Sequence, residues 1–315
     1  MPPSVTFFPL SLPISLGNVY SVTTLAVPGG GNPPSVSVLV LEAGVRSTGY
    51  VRSHILTFDI DNNCTHEEIP NCPIPLFPDS LDAAHLGDRV CVVCRDSDLS
   101  QRRAPEMFSL SLSDRRWETV DTQEVEDSGR MVSYETPVSV FAIDGTCYIS
   151  MCYEEGYPSA KKAVFLAYHP TQYRWERLTP PSLECMDLYP KCCVVADGVG
   201  YILGEENHVS YAPSLSLLPS LGWTKETPLP EALTLDQVSS CCAVPMGRDV
   251  LVLHMATGRA IVYRTVTHEW ESVDCSLLDP QDRPKTACTI RGSHFLAASA
   301  RGATASRLFI GTFME

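Results

Sequence analysis

The chain has 315 residues, 44% of them hydrophobic and only 19% charged, a composition that supports a sizeable core and excludes a disordered chain. Its formal charge of −14 argues against general nucleic-acid binding and against docking on an anionic membrane surface. No run of about 20 apolar residues occurs, so no transmembrane helix is expected.

The first 41 residues carry no charged side chain. No basic segment leads them, and Pro2, Pro3, Pro9 and Pro13 interrupt the apolar run, so a signal peptide is not expected. After "VTFFPLSL" come "VYSVTTLAV", the turn "GGGNPP" and "SVSVLVLEAG", which together read as a β-hairpin. "ILTFDIDNNCTHEEI" follows as two further strands, with Thr65 in the slot that later segments give to Trp. The single sequon Asn63-Cys64-Thr65 is near chance level. Five more hairpin signals come next: "AAHLGDRVCVV", "SVFAIDGTCYIS", "CCVVADGVGYILG", "CCAVPMGRDVLVL" and "ACTIRGSHFLAA". Each is an apolar run, a tight turn containing Gly, and a second apolar run. Four of them precede a strand that leads to a Trp, at positions 117, 175, 223 and 270, spaced by 58, 48 and 47 residues.

Four strands in about 50 residues is the period of a propeller blade. Blades begin near residues 20, 82, 137, 190, 239 and 286. The sixth repeat supplies three strands, ending in "RLFIGTFME", and residues 3–10 supply the fourth. The expectation is therefore an all-β fold: one six-bladed β-propeller of four-stranded blades over residues 1–315, its last blade completed by the N-terminal strand. Mixing both chain ends in one blade removes exposed sheet edges.

The repeat resembles the kelch family. The resemblance is carried by Tyr168 and Trp175 in "YHPTQYRW", Tyr263 and Trp270 in "YRTVTHEW", the recurring Trp117 and Trp223, and the "DG" turns ending in Gly145 and Gly198. It spans nearly the whole chain. The diglycine that usually closes the second kelch strand is reduced to single residues, Gly44 and Gly204. Large rings at the outer strands are expected to fill the wedges between blades, where a buried Trp contributes roughly 150–250 Å² of contact. The Glu after three of these Trp (118, 176 and 271) reads as a solvated strand residue.

Chemistry is sparse. There is no Gly-x-Ser-x-Gly, no P-loop and no dinucleotide fingerprint. Cys91-x-x-Cys94 lies within one strand, where residues three apart face opposite sides, and has no second ligand pair, so no metal site is expected. No catalytic residue and no cofactor are assigned. The thirteen Cys include adjacent pairs, Cys192-Cys193 and Cys241-Cys242, which cannot serve one ordinary disulfide framework. Free thiols and a cytoplasmic location follow as expectations.

Binding is expected on the face that carries the loops between the second and third strands of each blade and between consecutive blades, since function concentrates on long loops over a rigid scaffold. The loops between second and third strands hold ten Lys/Arg against eight Asp/Glu. Arg46, Arg52, Arg95, Arg102, Arg103, Tyr157, Lys161, Lys162 and Arg259 are the candidate binding residues there, and an acidic protein is the expected partner. Kelch propellers commonly act as protein-interaction modules. The resemblance therefore implies a non-catalytic, monomeric scaffold or adaptor that does not engage nucleic acid or membrane. The alternative is a carbohydrate-binding or carbohydrate-processing propeller.

Overall fold

The computed structural model describes residues 2–10, 19–28, 36–44, 51–59, 64–74, 78–96, 106–122, 139–155, 160–178, 188–206, 214–218, 222–227, 241–254, 258–275, 286–301 and 304–315. Every regular element among them is a β-strand. Among the described residues no helix is long and apolar enough to cross a membrane. The strands fall into four sheets of four and one of eight, which make six four-stranded antiparallel blades numbered here in chain order, and the chain divides into two compact units.

One unit, Pro78–Ser239, holds blades 2 to 4. Blade 2 is β6 (Pro78–Leu86), β7 (Arg89–Asp96), β8 (Glu106–Ser111) and β9 (Arg116–Val120). Blade 3 is β10 (Ser139–Ile143), β11 (Thr146–Glu155), β12 (Ala160–His169) and β13 (Arg174–Leu178). Blade 4 is β14 (Leu188–Ala196), β15 (Val199–Glu206), β16 (Ser214–Leu218) and β17 (Gly222–Lys225). The cores lie between blades. Cys91, Val93 and Met107 of blade 2 pack with Cys147, Ile149 and Leu166 of blade 3. Phe141 and Phe165 of blade 3 meet Ile202 of blade 4.

The other unit, Met1–Phe77 with Ser240–Glu315, holds blades 1, 5 and 6. Blade 1 is β2 (Val19–Pro28), β3 (Val36–Gly44), β4 (Val51–Phe58) and β5 (Cys64–Cys72). Blade 5 is β18 (Cys241–Met246), β19 (Asp249–His254), β20 (Arg259–Arg264) and β21 (Glu269–Cys275). Blade 6 is β22 (Thr286–Arg291), β23 (His294–Arg301), β24 (Thr304–Met314) and the N-terminal strand β1 (Ser4–Pro9). β1 pairs antiparallel with β24 from Ser4↔Met314 to Pro9↔Phe309. It also pairs in parallel with β21 of blade 5 at Ser4↔Asp274 and Val5↔Cys275, so blades 5 and 6 share one eight-stranded sheet. Phe7 and Phe295 meet edge to face at 5.7 Å. Gly311 is the cross-strand partner of both. A Cβ there would overlap the Phe295 ring.

The turns follow their sequences. Asp144-Gly145 and Asp197-Gly198 both have positive φ at each position, the pairing a type I′ hairpin needs. Gly87, Gly247 and Gly292 place the positive φ at the first turn position, as in a type II′ hairpin. The first strand of each blade is a sheet edge, and side chains from the neighbouring blade stitch several of these edges together. Asp82 Oδ2 accepts the Val140 amide at 2.8 Å, and Cys193 Sγ donates to Val140 O at 3.3 Å. Thr24 and Thr286 hydroxyls meet at 3.2 Å, and Thr289 donates to Pro245 O at 2.5 Å.

Candidate functional site

The recurring aromatic pairs are built alike. Tyr168 faces Trp175 and Tyr263 faces Trp270 in register, with ring centroids 4.9 and 4.8 Å apart at interplanar angles of 40° and 41°. Each Tyr is buried and each Trp half-buried. Trp175 packs against the core between blades 2 and 3, and its Nε1 donates to Asp121 O at 2.9 Å. Trp117, opposite Leu110, is also half-buried. Trp223 takes the same register position opposite Leu217.

Blade 1 departs from the sequence expectation. Thr65 holds the register position after the turn but is exposed. Cys64, opposite the buried Phe58, instead packs against the core there. Five residues separate β4 from β5 in the sequence, against four between the matching strands of blades 2, 3 and 5, and the inward phase moves by one residue.

Each Glu that follows a Trp is a solvated strand residue, as expected, and also pairs with a cation. Glu118 accepts from Arg89 Nη1 at 2.6 Å. Glu176 lies 3.3 Å from both His169 Nε2 and Arg174 Nη2. Glu271 joins Arg264, which also binds Asp249 and Glu315, each at 2.8 Å.

The Arg89–Glu118 pair lies in a cleft of about 230 Å³ between blades 2 and 3, which Ser109, Thr119, Asp121, Tyr168, Pro170 and Tyr173 also line. Arg89 Nη1 also donates to Ser109 Oγ at 3.3 Å. The Arg89 hydrogen bond holds Glu118 ionised, its pKa lowered, while Glu118 raises that of Arg89. Burial pushes the Tyr168 phenol up to about 12, so it remains a donor. Tyr173 ends the four-residue turn between β12 and β13 with φ 50°, and its side chain is 76% exposed. Arg115 and His268 hold the same left-handed position in blades 2 and 5, so the backbone shape belongs to the repeat. What differs is the side chain. His268 Nδ1 meets the Tyr263 hydroxyl at 3.1 Å, whereas Tyr173 presents an aromatic ring to solvent at the cleft.

Sequence reasoning alone does not find this cleft. Glu118 stands out as part of the Trp-Glu repeat, but its partner Arg89 comes from the first hairpin, 29 residues earlier. The residues expected to bind fare differently. Arg46, Arg102, Arg103 and Tyr157 lie outside the described residues, as do most of the loops on that face. Arg95, Lys161 and Lys162 are strand residues and not loop residues, in register with Ser80, Glu154 and Tyr153. Arg52 lies on β4 opposite Glu42, and Arg259 opens β20 opposite His254. Both are exposed. Among the described residues no group of three or more His, Cys, Asp or Glu is placed to hold a metal.

No family model and no curated protein matches the chain. Solved structures do. A six-bladed propeller, the fucose-recognising lectin of Aleuria aurantia, is similar with a TM-score of 0.60 at 13% identity, covering 95% of this chain and 97% of the lectin. An α-L-arabinanase of Penicillium chrysogenum, solved with arabinobiose, gives 0.55 at 12%, covering 98% and 97%. The α-L-arabinofuranosidase arb93a of Fusarium graminearum gives 0.56 at 11%, covering 93% and 92%. At these identities the likeness establishes the fold: an all-β, six-bladed β-propeller whose last blade takes its fourth strand from the N-terminal segment.

Proposed function

We propose that the protein is a carbohydrate-binding propeller that holds a sugar in the cleft between blades 2 and 3. The observation that carries this reading is the composition of that cleft. A sugar offers hydroxyls that donate and accept, and a ring face of C–H groups. Arg89 supplies donors, Glu118 an acceptor that stays ionised, Ser109 and Thr119 hydroxyls that do both, and Tyr173 an exposed ring for the apolar face. Charge-assisted hydrogen bonds are the stronger kind. A volume of about 230 Å³ is below the roughly 300–1,000 Å³ of pockets for drug-sized ligands, which suits one sugar ring. Arg89, Glu118 and Asp121 sum to −1, which favours a neutral sugar over an acidic one. The similar lectin, arabinanase and arabinofuranosidase support a carbohydrate ligand.

Binding is favoured over hydrolysis. Glycoside hydrolysis pairs a protonated carboxyl with an ionised one, and Glu118, held ionised by Arg89, suits only the second role. The Tyr–Trp spacing supports a kelch-like scaffold beneath the site. The second reading, a monomeric protein-interaction module, is favoured by the exposed Arg52 and Arg259. A glycan array with neutral and sialylated probes tests the main reading, followed by titration of hits against Arg89→Ala and Tyr173→Ala. Binding of neutral glycans that both variants lose is the expected result. An empty array, or hits that both variants retain, overturns it.

A further inference from the structure

We propose that His54 and His66, on adjacent strands of blade 1, form a binding site for a first-row transition-metal ion. His54 Nδ1 and His66 Nε2 stand 3.1 Å apart across the β4–β5 pair, with ring centroids at 5.2 Å and planes tilted by 42°. Two histidine nitrogens each about 2.0–2.1 Å from one metal ion, at a near-tetrahedral angle, stand about 3.2–3.4 Å apart. The gap between these rings is therefore within a few tenths of an ångström of what a shared ion needs. A hydrogen bond between two imidazoles requires one N–H and one lone pair. When a metal ion binds, the donor ring moves its proton to its other nitrogen, and both facing lone pairs hold the ion.

Position on the strands supports the site. His54 is buried, and its neighbours Leu56 and Phe58 belong to the core between blades 1 and 6, so one ligand is fixed in place. His66 is half-buried on the outermost strand of the blade, which leaves a route from solvent. Glu68 lies directly opposite His54 in register, and both it and Glu67 are exposed, adding negative charge nearby. No third ligand among the described residues is close enough to join, so water fills the remaining positions. Imidazole ligands suit zinc, copper, nickel and iron.

Nickel is the cleaner probe in a protein with thirteen cysteines, because thiolates select more strongly for zinc and copper(I). The test is isothermal titration of the tag-free protein with Ni²⁺, in the wild type and in two variants. One is His66→Gln, which changes a half-buried residue and leaves the core intact. The other is Cys64→Ser, which removes the nearest thiol on the same strand. The expected result is one equivalent bound by the wild type and by Cys64→Ser, with affinity falling more than about tenfold in His66→Gln, the cost that loss of even an outer-shell partner typically carries. Absence of binding in the wild type overturns the proposal. So does equal affinity in His66→Gln, or loss of binding in Cys64→Ser alone.

Discussion

Replacing Asp82 with Asn should change how the stability of the protein depends on pH. Asp82 lies mid-strand on β6, where its carboxylate accepts the Ala83 amide at 2.9 Å and the Val140 amide of blade 3 at 2.8 Å. Both bonds favour the ionised form, but burial outweighs them and pushes the pKa up to about 7. The thiols of Cys147 and Cys193 are close enough for the Asp82 charge to raise their pKa values further. The unfolded carboxyl titrates near 3.9, so the folded protein binds the proton more tightly. Its stability then falls as pH rises above about 4 and levels off above about 7. A carboxyl raised that far favours the folded state at low pH by about 4 kcal/mol in all, and the part lost between pH 5 and pH 8 is about 3 kcal/mol. Asn cannot ionise. It keeps one acceptor for the Val140 amide and loses the other, at a cost of about 1–3 kcal/mol that does not vary with pH. Urea unfolding of both proteins at unit steps from pH 5 to pH 9 measures the difference. The variant should gain about 3 kcal/mol on the wild type between pH 5 and pH 8, with no further gain above pH 8. Parallel stability curves would refute a half-buried carboxylate that titrates near neutrality.

Trp175→Ala should destabilise by about 3 kcal/mol, the low end for a large aromatic because the ring is only half-buried; a chemical-denaturation midpoint close to wild type would contradict its place in the wedge between blades 2 and 3. Gly311→Ala should cost at least the roughly 1–3 kcal/mol typical of overpacking, because its Cβ meets the Phe295 ring, and a paired Phe295→Leu should recover part of that loss in the same melt. Deletion of residues 1–10 removes β1 from both β24 and β21; a large drop in melting temperature or aggregation is expected, and an unchanged monomer would oppose the pairing. In the native protein four thiols should react slowly with iodoacetamide at pH 7, because burial raises Cys64 and Cys275 to about 11 and Cys242 and Cys288 to about 12, with all thirteen modified after denaturation; rapid native labelling of these four would run against it.

The repeat was legible because its signals are local. The Gly turns and the apolar runs around them fall within a dozen residues, and the Tyr-to-Trp spacing follows from one four-residue hairpin turn. The order of blades and the pairing of "VTFFPLSL" with the last strand needed only a count of strands. The exchange of Thr65 for Cys64 was hidden because one added turn residue changes the phase of a strand without changing its composition. The cleft was hidden for a related reason. Arg89, Glu118 and Tyr173 lie on two blades and three separate hairpins, and no motif in one sequence ties them together. Nothing in the sequence marks Asp82. Only its closeness to the Val140 amide, 58 residues on, shows what it does.

The pairing of β1 with β24 also bears on how the chain reaches this state. Within each of blades 1 to 5, strands next to each other in sequence pair, so these blades form by short loop closures. Ser4↔Met314 instead joins positions nearly a whole chain apart. Closing a flexible loop of that length costs about 5 kcal/mol in chain entropy on the (3/2)RT ln n scale, and contacts of such sequence separation are slow to form. Blade 6 is therefore expected to be the last to assemble. During synthesis β1 is made well before β24 and waits for it. Until then β1, β21 and β24 each expose an unpaired edge. That interval is when the chain is most open to aggregation or to capture by a second copy, and a chaperone that shields β1 would act there.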